Sequence, residues 1–281
     1  MAHPAYHGAG ARLGGFLVAA CVAAWGAPPS AAALGAARVV SLSPVGTEIV
    51  LALGQGERLV AVDAASATLP GVRNRPLAKS ATAGTFSPDL VLVPEAEAEA
   101  ARRSAPSALL IEVAPHNFDD AWALCTSVGA ALGREQEARR FVREASRPLA
   151  EIGSESFGQR RPRVAAVLTL VPLEVAGGHS FVTDLIETAG GESVSHGTEE
   201  PRLFWTTLDF ARAEPELVVV VTPHAPSPEQ RERAGRLFGP GLRVEFLVLD
   251  AERHWLSEAL PAARQLRKWI EGLATAPRRA R

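Results

Sequence analysis

Tyrosine and cysteine are nearly missing from this chain, and each shortage excludes a chemistry. Among 281 residues there is one tyrosine, Tyr6, and there are two cysteines, Cys21 and Cys125. Tyr6 falls in a leader-like segment, so the rest of the chain has no phenolate for haem or ferric iron. Cys21 falls there too, which leaves Cys125 alone and allows no intramolecular disulfide. Cys125 sits in an apolar helical pattern and reads as a buried structural thiol, not a nucleophile. Net charge is also small, at -2. No basic cluster stands out before Arg278-Arg279, so nucleic acid and anionic membrane surfaces are excluded as partners. Closely spaced metal-binding histidines, a phosphate loop and a dinucleotide fingerprint are absent, and GGHSFV around Ser180 is not a nucleophile elbow. The chain does not read as an enzyme and needs no cofactor of its own.

What is present begins with an address. Arg12 is the only Lys or Arg in the first 37 residues, an apolar run covers residues 13–25, and Ala31-Ala32-Ala33 follows. This is the pattern of a secretory signal over residues 1–33, with an apolar run too short to span a bilayer. Val18-Ala19-Ala20-Cys21 also resembles a lipoprotein box. An exported soluble form is the favoured expectation, with lipid attachment at Cys21 as the alternative.

Residues 38–54, RVVSLSPVGTEIVLALG, read as strand, turn and helix, with Thr47 the expected N-cap and Glu48 in the first turn. TEIVLALG is echoed by TDLIETAG at residues 183–190, and SPDLVLV at 87–93 by EPELVVVV at 214–221. The echoes predict two related lobes, at residues 38–133 and 162–273, joined by a long helix at 134–157 and followed by a tail at 274–281. Strands alternating with helices predict parallel sheets, hence an α/β fold of two Rossmann-like lobes. Pro148 is expected to bend or interrupt the connecting helix. Residues 175–180 are expected to be a loop before the helix that starts at Phe181.

These stretches resemble a known family. RVVSLSPVGTEIVLALGQGERLVAVD closely resembles the N-terminal signature of the helical-backbone (class III) periplasmic binding proteins, the cobalamin, haem and ferric-siderophore receptors of ABC importers. SPDLVLV, SFVTDLIETAGGESV, EPELVVVV and FLVLDAERHWL match further signatures in the same order, over about residues 38–270. The resemblance implies a ligand cleft between the two lobes, little hinge motion, no catalytic residues, a monomer, and a bulky ligand carrying cobalt or iron that is passed to permease subunits. A corrinoid is the favoured ligand because it requires no Tyr, with haem or a siderophore as the alternative. Two features depart from the family. Residues 63–70 lack an aromatic, and Ser80-Ala81-Thr82 stands where an acid is usual. Asp209 is then the comparable permease-docking acid, in the second lobe. The departures open a reading of another class, a diverged sensor or assembly partner without transport.

The candidate contacts fall into three sets. Ser43, Pro44, Val45 and Gly46, with Gly178, His179 and Ser180, would bring backbone N–H groups and helix N-termini to the cleft, as ligand contacts or simply as caps. Ser66 and Thr68 add polar groups after the second strand. Phe204-Trp205 and His254-Trp255 offer flat apolar surface to a macrocycle, or else serve the core. His179 or His254 is an axial ligand to haem or cobalt, or else a hydrogen-bonded histidine.

Overall fold

Short β-branched and leucine runs build the first sheet. The computed structural model describes residues 35–72, 74–250 and 255–274. The expected signal segment with Cys21 and Ala33, His254, and residues 275–281 of the tail lie outside the described residues. Strands β1 (Val39–Ser41), β2 (Leu59–Val62), β3 (Leu90–Val93) and β4 (Leu109–Glu112) lie in the order β2-β1-β3-β4, all parallel. Parallel neighbours require crossovers. Helix α1 (Pro44–Ala52), a 3-10 turn at Ser80–Phe86 and helix α2 (Ala98–Ser104) supply them. Val39, Val40 and all four residues of β3 are fully buried, which is why these strands read as continuous apolar runs without alternation.

Helices α3 (Phe118–Ala131) and α4 (Glu135–Glu155) lead to the second lobe. Pro148 lies inside α4 and does not interrupt it. Proline removes one donor, and the carbonyl left without its usual partner belongs to the exposed Glu144, where water can serve it. The second sheet contains β5 (Arg163–Leu170), β6 (Leu173–Ala176), β7 (Glu192–Ser193), β8 (Arg202–Phe204), β9 (Leu217–Thr222) and β10 (Arg243–Val248). Its order is β10-β9-β5-β6-β8, with β7 also pairing with β5. Helices α5 (Phe181–Thr188), α6 (Thr207–Arg212), α7 (Pro228–Phe238) and α8 (Trp255–Ala274) complete the lobe.

This sheet is mixed, not parallel throughout, because β6 runs antiparallel to both its neighbours, β5 and β8. Val175 and Ala176 therefore belong to a strand and not to the expected loop. Antiparallel neighbours need only a two-residue connection, here Val171-Pro172, and a four-residue return strand carries too little periodicity to be legible.

The echoed segments adopt the same local structure. Ser87 and Glu214 both take the left-handed backbone conformation, with φ of 46° and 43°, immediately before Pro88 and Pro215. In each lobe an arginine at the start of the first strand reaches the carbonyl two residues before that proline. Arg38 Nη2 donates to Phe86 O at 2.7 Å, and Arg163 Nη2 to Ala213 O at 2.9 Å. The acid after the proline accepts from the same strand start, Asp89 from the Arg38 amide at 3.0 Å and Glu216 from the Arg163 amide at 3.1 Å. A strained turn thus has its backbone groups satisfied by one cation and one anion, twice over.

One apolar cluster crosses from sheet to sheet. It includes Val39 and Leu90, Cys125 and Val128 of α3, Leu149 and Ile152 of α4, Leu185 and Ile186 of α5, and Leu266 and Ile270 of α8. The described residues consequently pack as one compact unit around two sheets.

Candidate functional site

The two lobes meet at the starts of α3, α5 and α8, where Asp184 and Glu48 bond across. Ser43, not Thr47, is the N-cap of α1. Its Oγ accepts from the Gly46 amide at 3.5 Å and its carbonyl from the Thr47 amide at 2.9 Å. Pro44 takes the first helical position, where its missing N–H costs nothing. The cap starts the helix earlier than expected, so Glu48 falls beyond the first turn. Ser43, Val45 and Gly46 are buried, and a Cβ on Gly46 would stand 3.1 Å from Leu92. Of this loop only Pro44 is partly accessible. Ser66 is fully buried and bonds to the Thr47 hydroxyl at 2.9 Å, whereas Thr68 is exposed and donates to Ala65 O at 2.7 Å.

The second lobe repeats the arrangement. Ser180 caps α5 through the Thr183 amide at 3.2 Å and is buried. The Gly178 amide is taken by Thr198 Oγ1 at 2.8 Å. Gly177 and Gly178 lie under residues 195–200, so close that added Cβ atoms would sit 1.9 Å from Glu200 O and 2.2 Å from Thr198 O. The amides of Gly46 and Gly178 are therefore engaged within the protein. His179 is not enclosed, since 45% of its side chain is exposed. Its ring lies 3.0 Å and 3.1 Å from Asn117 Nδ2 through its two nitrogens, 3.4 Å from Asp120 Oδ2, and 6.1 Å between centroids from His116. A recess of about 430 Å³ opens beside it, lined by Gly178, His179, His196, Thr198 and Glu199. It can offer the imidazoles of His179 and His196 and the carboxylate of Glu199 to a polar ligand, since the Thr198 hydroxyl is held by the Gly178 amide and Ser195 O. Among the described residues no group of three or more His, Cys, Asp or Glu is placed to hold a metal ion.

The aromatic candidates separate. Phe204 is 74% exposed on strand β8, while the adjacent Trp205 turns inward against Phe210, with centroids 6.3 Å apart. Strand alternation sends neighbours to opposite faces, so they do not form one surface. His254 is outside the described residues, and Trp255 contributes here only as the first residue of α8. Asp209 closes a capping box on α6, accepting from Thr206 Oγ1 at 2.6 Å and from the Thr206 amide at 3.0 Å. These bonds, with a smaller effect from Arg212, hold its carboxyl below the usual aspartate range.

Four further residues shape the seam and were not singled out from the sequence as site residues. Asp184 of α5 accepts from the Phe118 amide at the start of α3, at 2.7 Å. Burial pushes its carboxyl up, partly offset by that bond. Phe118 and Phe181 meet edge to face at 5.0 Å directly beside it. Glu48 of α1 accepts from the Leu256 amide at 3.3 Å and from Ser257 Oγ at 2.6 Å, at the start of α8. The signal was available in the echo itself, which places an acid after Thr in both lobes.

Comparison with known proteins follows this geometry. The model of a family described as periplasmic binding protein matches residues 39–233. A search of curated proteins finds no match. Among solved structures, the periplasmic vitamin B12 binding protein of Vibrio cholerae is 18% identical with a TM-score of 0.66, covering 86% of this chain and 99% of its own. The periplasmic heme-binding protein of Roseiflexus sp. RS-1 is 22% identical with a TM-score of 0.62, covering 83% and 99%. A possible iron-binding periplasmic solute-binding protein of Staphylococcus epidermidis is 18% identical with a TM-score of 0.68, covering 85% and 98%. At these identities the likeness is one of fold.

Proposed function

The chain belongs to the periplasmic binding protein family, and from that premise we propose that it captures a bulky, metal-bearing small molecule and delivers it to ABC permease subunits. Members of this family bind solutes and are not enzymes. The favoured ligand is cobalamin or a related corrinoid. The observation that carries this reading is the seam itself: α1 and α5 bond across it through Glu48 and Asp184, and His179 stands open to solvent next to a polar recess. The fold likeness to proteins named for vitamin B12, heme and iron supports the ligand class. Tyr6 is the only tyrosine, and it precedes the matched region, which favours a corrinoid over ligands held by phenolate. Haem is the second reading, favoured by the exposed imidazole of His179 as an axial ligand.

In this reading residues 38–133 and 162–273 are the binding lobes and residues 134–157 the connector. Residues 1–33 direct export, and Cys21 is the lipid attachment point if the mature form is anchored. No helix among the described residues is long and apolar enough to cross a membrane. Asp209 is the docking acid, and the chain acts as a monomer.

Absorbance spectra and tryptophan-quenching titrations with cyanocobalamin, haemin and a ferric siderophore test the proposal. Saturable quenching by cyanocobalamin at about micromolar Kd or tighter is expected, weakened about tenfold by His179→Ala. A new Soret band abolished by His179→Ala selects haem instead. No binding to any of the three would overturn the reading in favour of a diverged sensor or assembly partner.

A further inference from the structure

We infer that the two echoed Thr-acid dipeptides, Thr47-Glu48 and Thr183-Asp184, are paired joints that fix the separation of the lobes. In each, the threonine fastens the helix inside its own lobe and the acid fastens it to the other. Thr47 Oγ1 bonds to Ser41 Oγ at 2.8 Å and Ser66 Oγ at 2.9 Å, both in the first lobe. Thr183 Oγ1 donates to Gly177 O at 2.7 Å and lies 3.3 Å from Ser193 Oγ, both in the second. All of these side chains are buried.

The acids reach across in opposite senses. Glu48, on a first-lobe helix, receives the Leu256 amide and the Ser257 hydroxyl at the start of second-lobe helix α8. Asp184, on a second-lobe helix, receives the Phe118 amide at the start of first-lobe helix α3. The first turn of a helix carries N–H groups without intrahelical partners, and a carboxylate there gains both the bond and the favourable end of the dipole. Two such caps at separate places resist relative rotation of the lobes, which one contact alone would permit. Glu48 and Asp184 are thus positioning residues for the cleft. Asn117, Asp120 and His179 add a third, more exposed contact on the Asp184 side.

The test uses the chain with Cys21→Ser, in which Cys125 is buried and unlabelled. Spin labels at Glu99→Cys on α2 and Glu232→Cys on α7, both exposed surface positions, report the interlobe distance without ligand. Glu48→Ala and Asp184→Ala are each expected to widen the distance distribution, and the double variant to widen it about twofold. Exchange of the Phe118 and Leu256 amides should accelerate in parallel. Glu48→Gln and Asp184→Asn, which keep an acceptor oxygen, should restore most of the narrow distribution. Ser227→Ala, which removes a cap far from the seam, should lower Tm without widening. An unchanged width in the double variant, or equal widening in Ser227→Ala, would overturn the inference. If the double variant does not fold, the single variants decide by the same criteria. Ligand identity plays no part in the measurement, so a wrong ligand assignment would leave its outcome intact.

Discussion

Cys125 illustrates how environment sets the chemistry of one side chain. Its thiol is pushed up to about 12, first by desolvation and then by the charge of Glu48. The thiolate is the reactive form, and near pH 8 only about one molecule in ten thousand would carry it. Chains with Cys21→Ser are therefore expected to show no reaction with a disulfide reagent until denaturant unfolds them. Fast labelling of the native protein would contradict the burial of this thiol. Ser43, Ser66 and Ser180 make a related point, since each is buried and its hydroxyl bonds to a neighbouring backbone or side-chain group. A hydroxyl spent on a cap is not free for ligand. His179 differs from them in being exposed.

The junction between β6 and α5 turns on close backbone approach. Gly177 and Gly178 let residues 195–200 cross directly over the strand end, where the Thr198 hydroxyl takes the Gly178 amide. A side chain at Gly177 would strike the Glu200 carbonyl, a backbone atom that cannot rotate away. Gly177→Ala is expected to destabilise the protein by about 1–3 kcal/mol in denaturant melts. Gly197 has open space around its Cβ position, and Gly197→Ala should change stability by less than about 0.5 kcal/mol. Equal effects would mean that the crossing does not constrain the loop. The same crossing forms one wall of the recess beside His179, which Gly178 itself lines, so the glycine pair shapes the candidate site.

Across the whole molecule, the two lobes share an apolar cluster and are fastened by acids at the seam. Asp184 has a carboxyl raised above the usual aspartate value, mainly by burial. Such a group binds its proton more tightly folded than unfolded. Its contribution to stability is therefore present below the usual value and is lost as pH rises through the folded value. Denaturant melts of the wild type and Asp184→Asn at about pH 4 and about pH 7 check the sign. The wild type should lose stability relative to the variant as pH rises. The reverse trend would mean that the Phe118 amide outweighs desolvation at this site.

Much of this was legible in the chain itself. The order of elements, the lobe repeat and the boundary helix followed from apolar runs, turn residues and the two echoes, because each reflects local backbone preference and burial on nearby residues. Ser180 was legible as a cap for the same reason. The antiparallel return of β6 was not, since four residues carry no distinguishing period and their partner is set by a turn. Nor was the first cap, where Thr47 has the right chemistry but Ser43 has the extended backbone that a cap requires. The roles of Glu48 and Asp184 were hidden because their partners, Leu256 and Phe118, lie far away in sequence. Sequence alone determined that there are two similar lobes and what each is made from. Only the tertiary structure decided which polar groups hold them together and which of these, like His179, stay exposed to solvent, because that depends on long-range packing that no local pattern encodes.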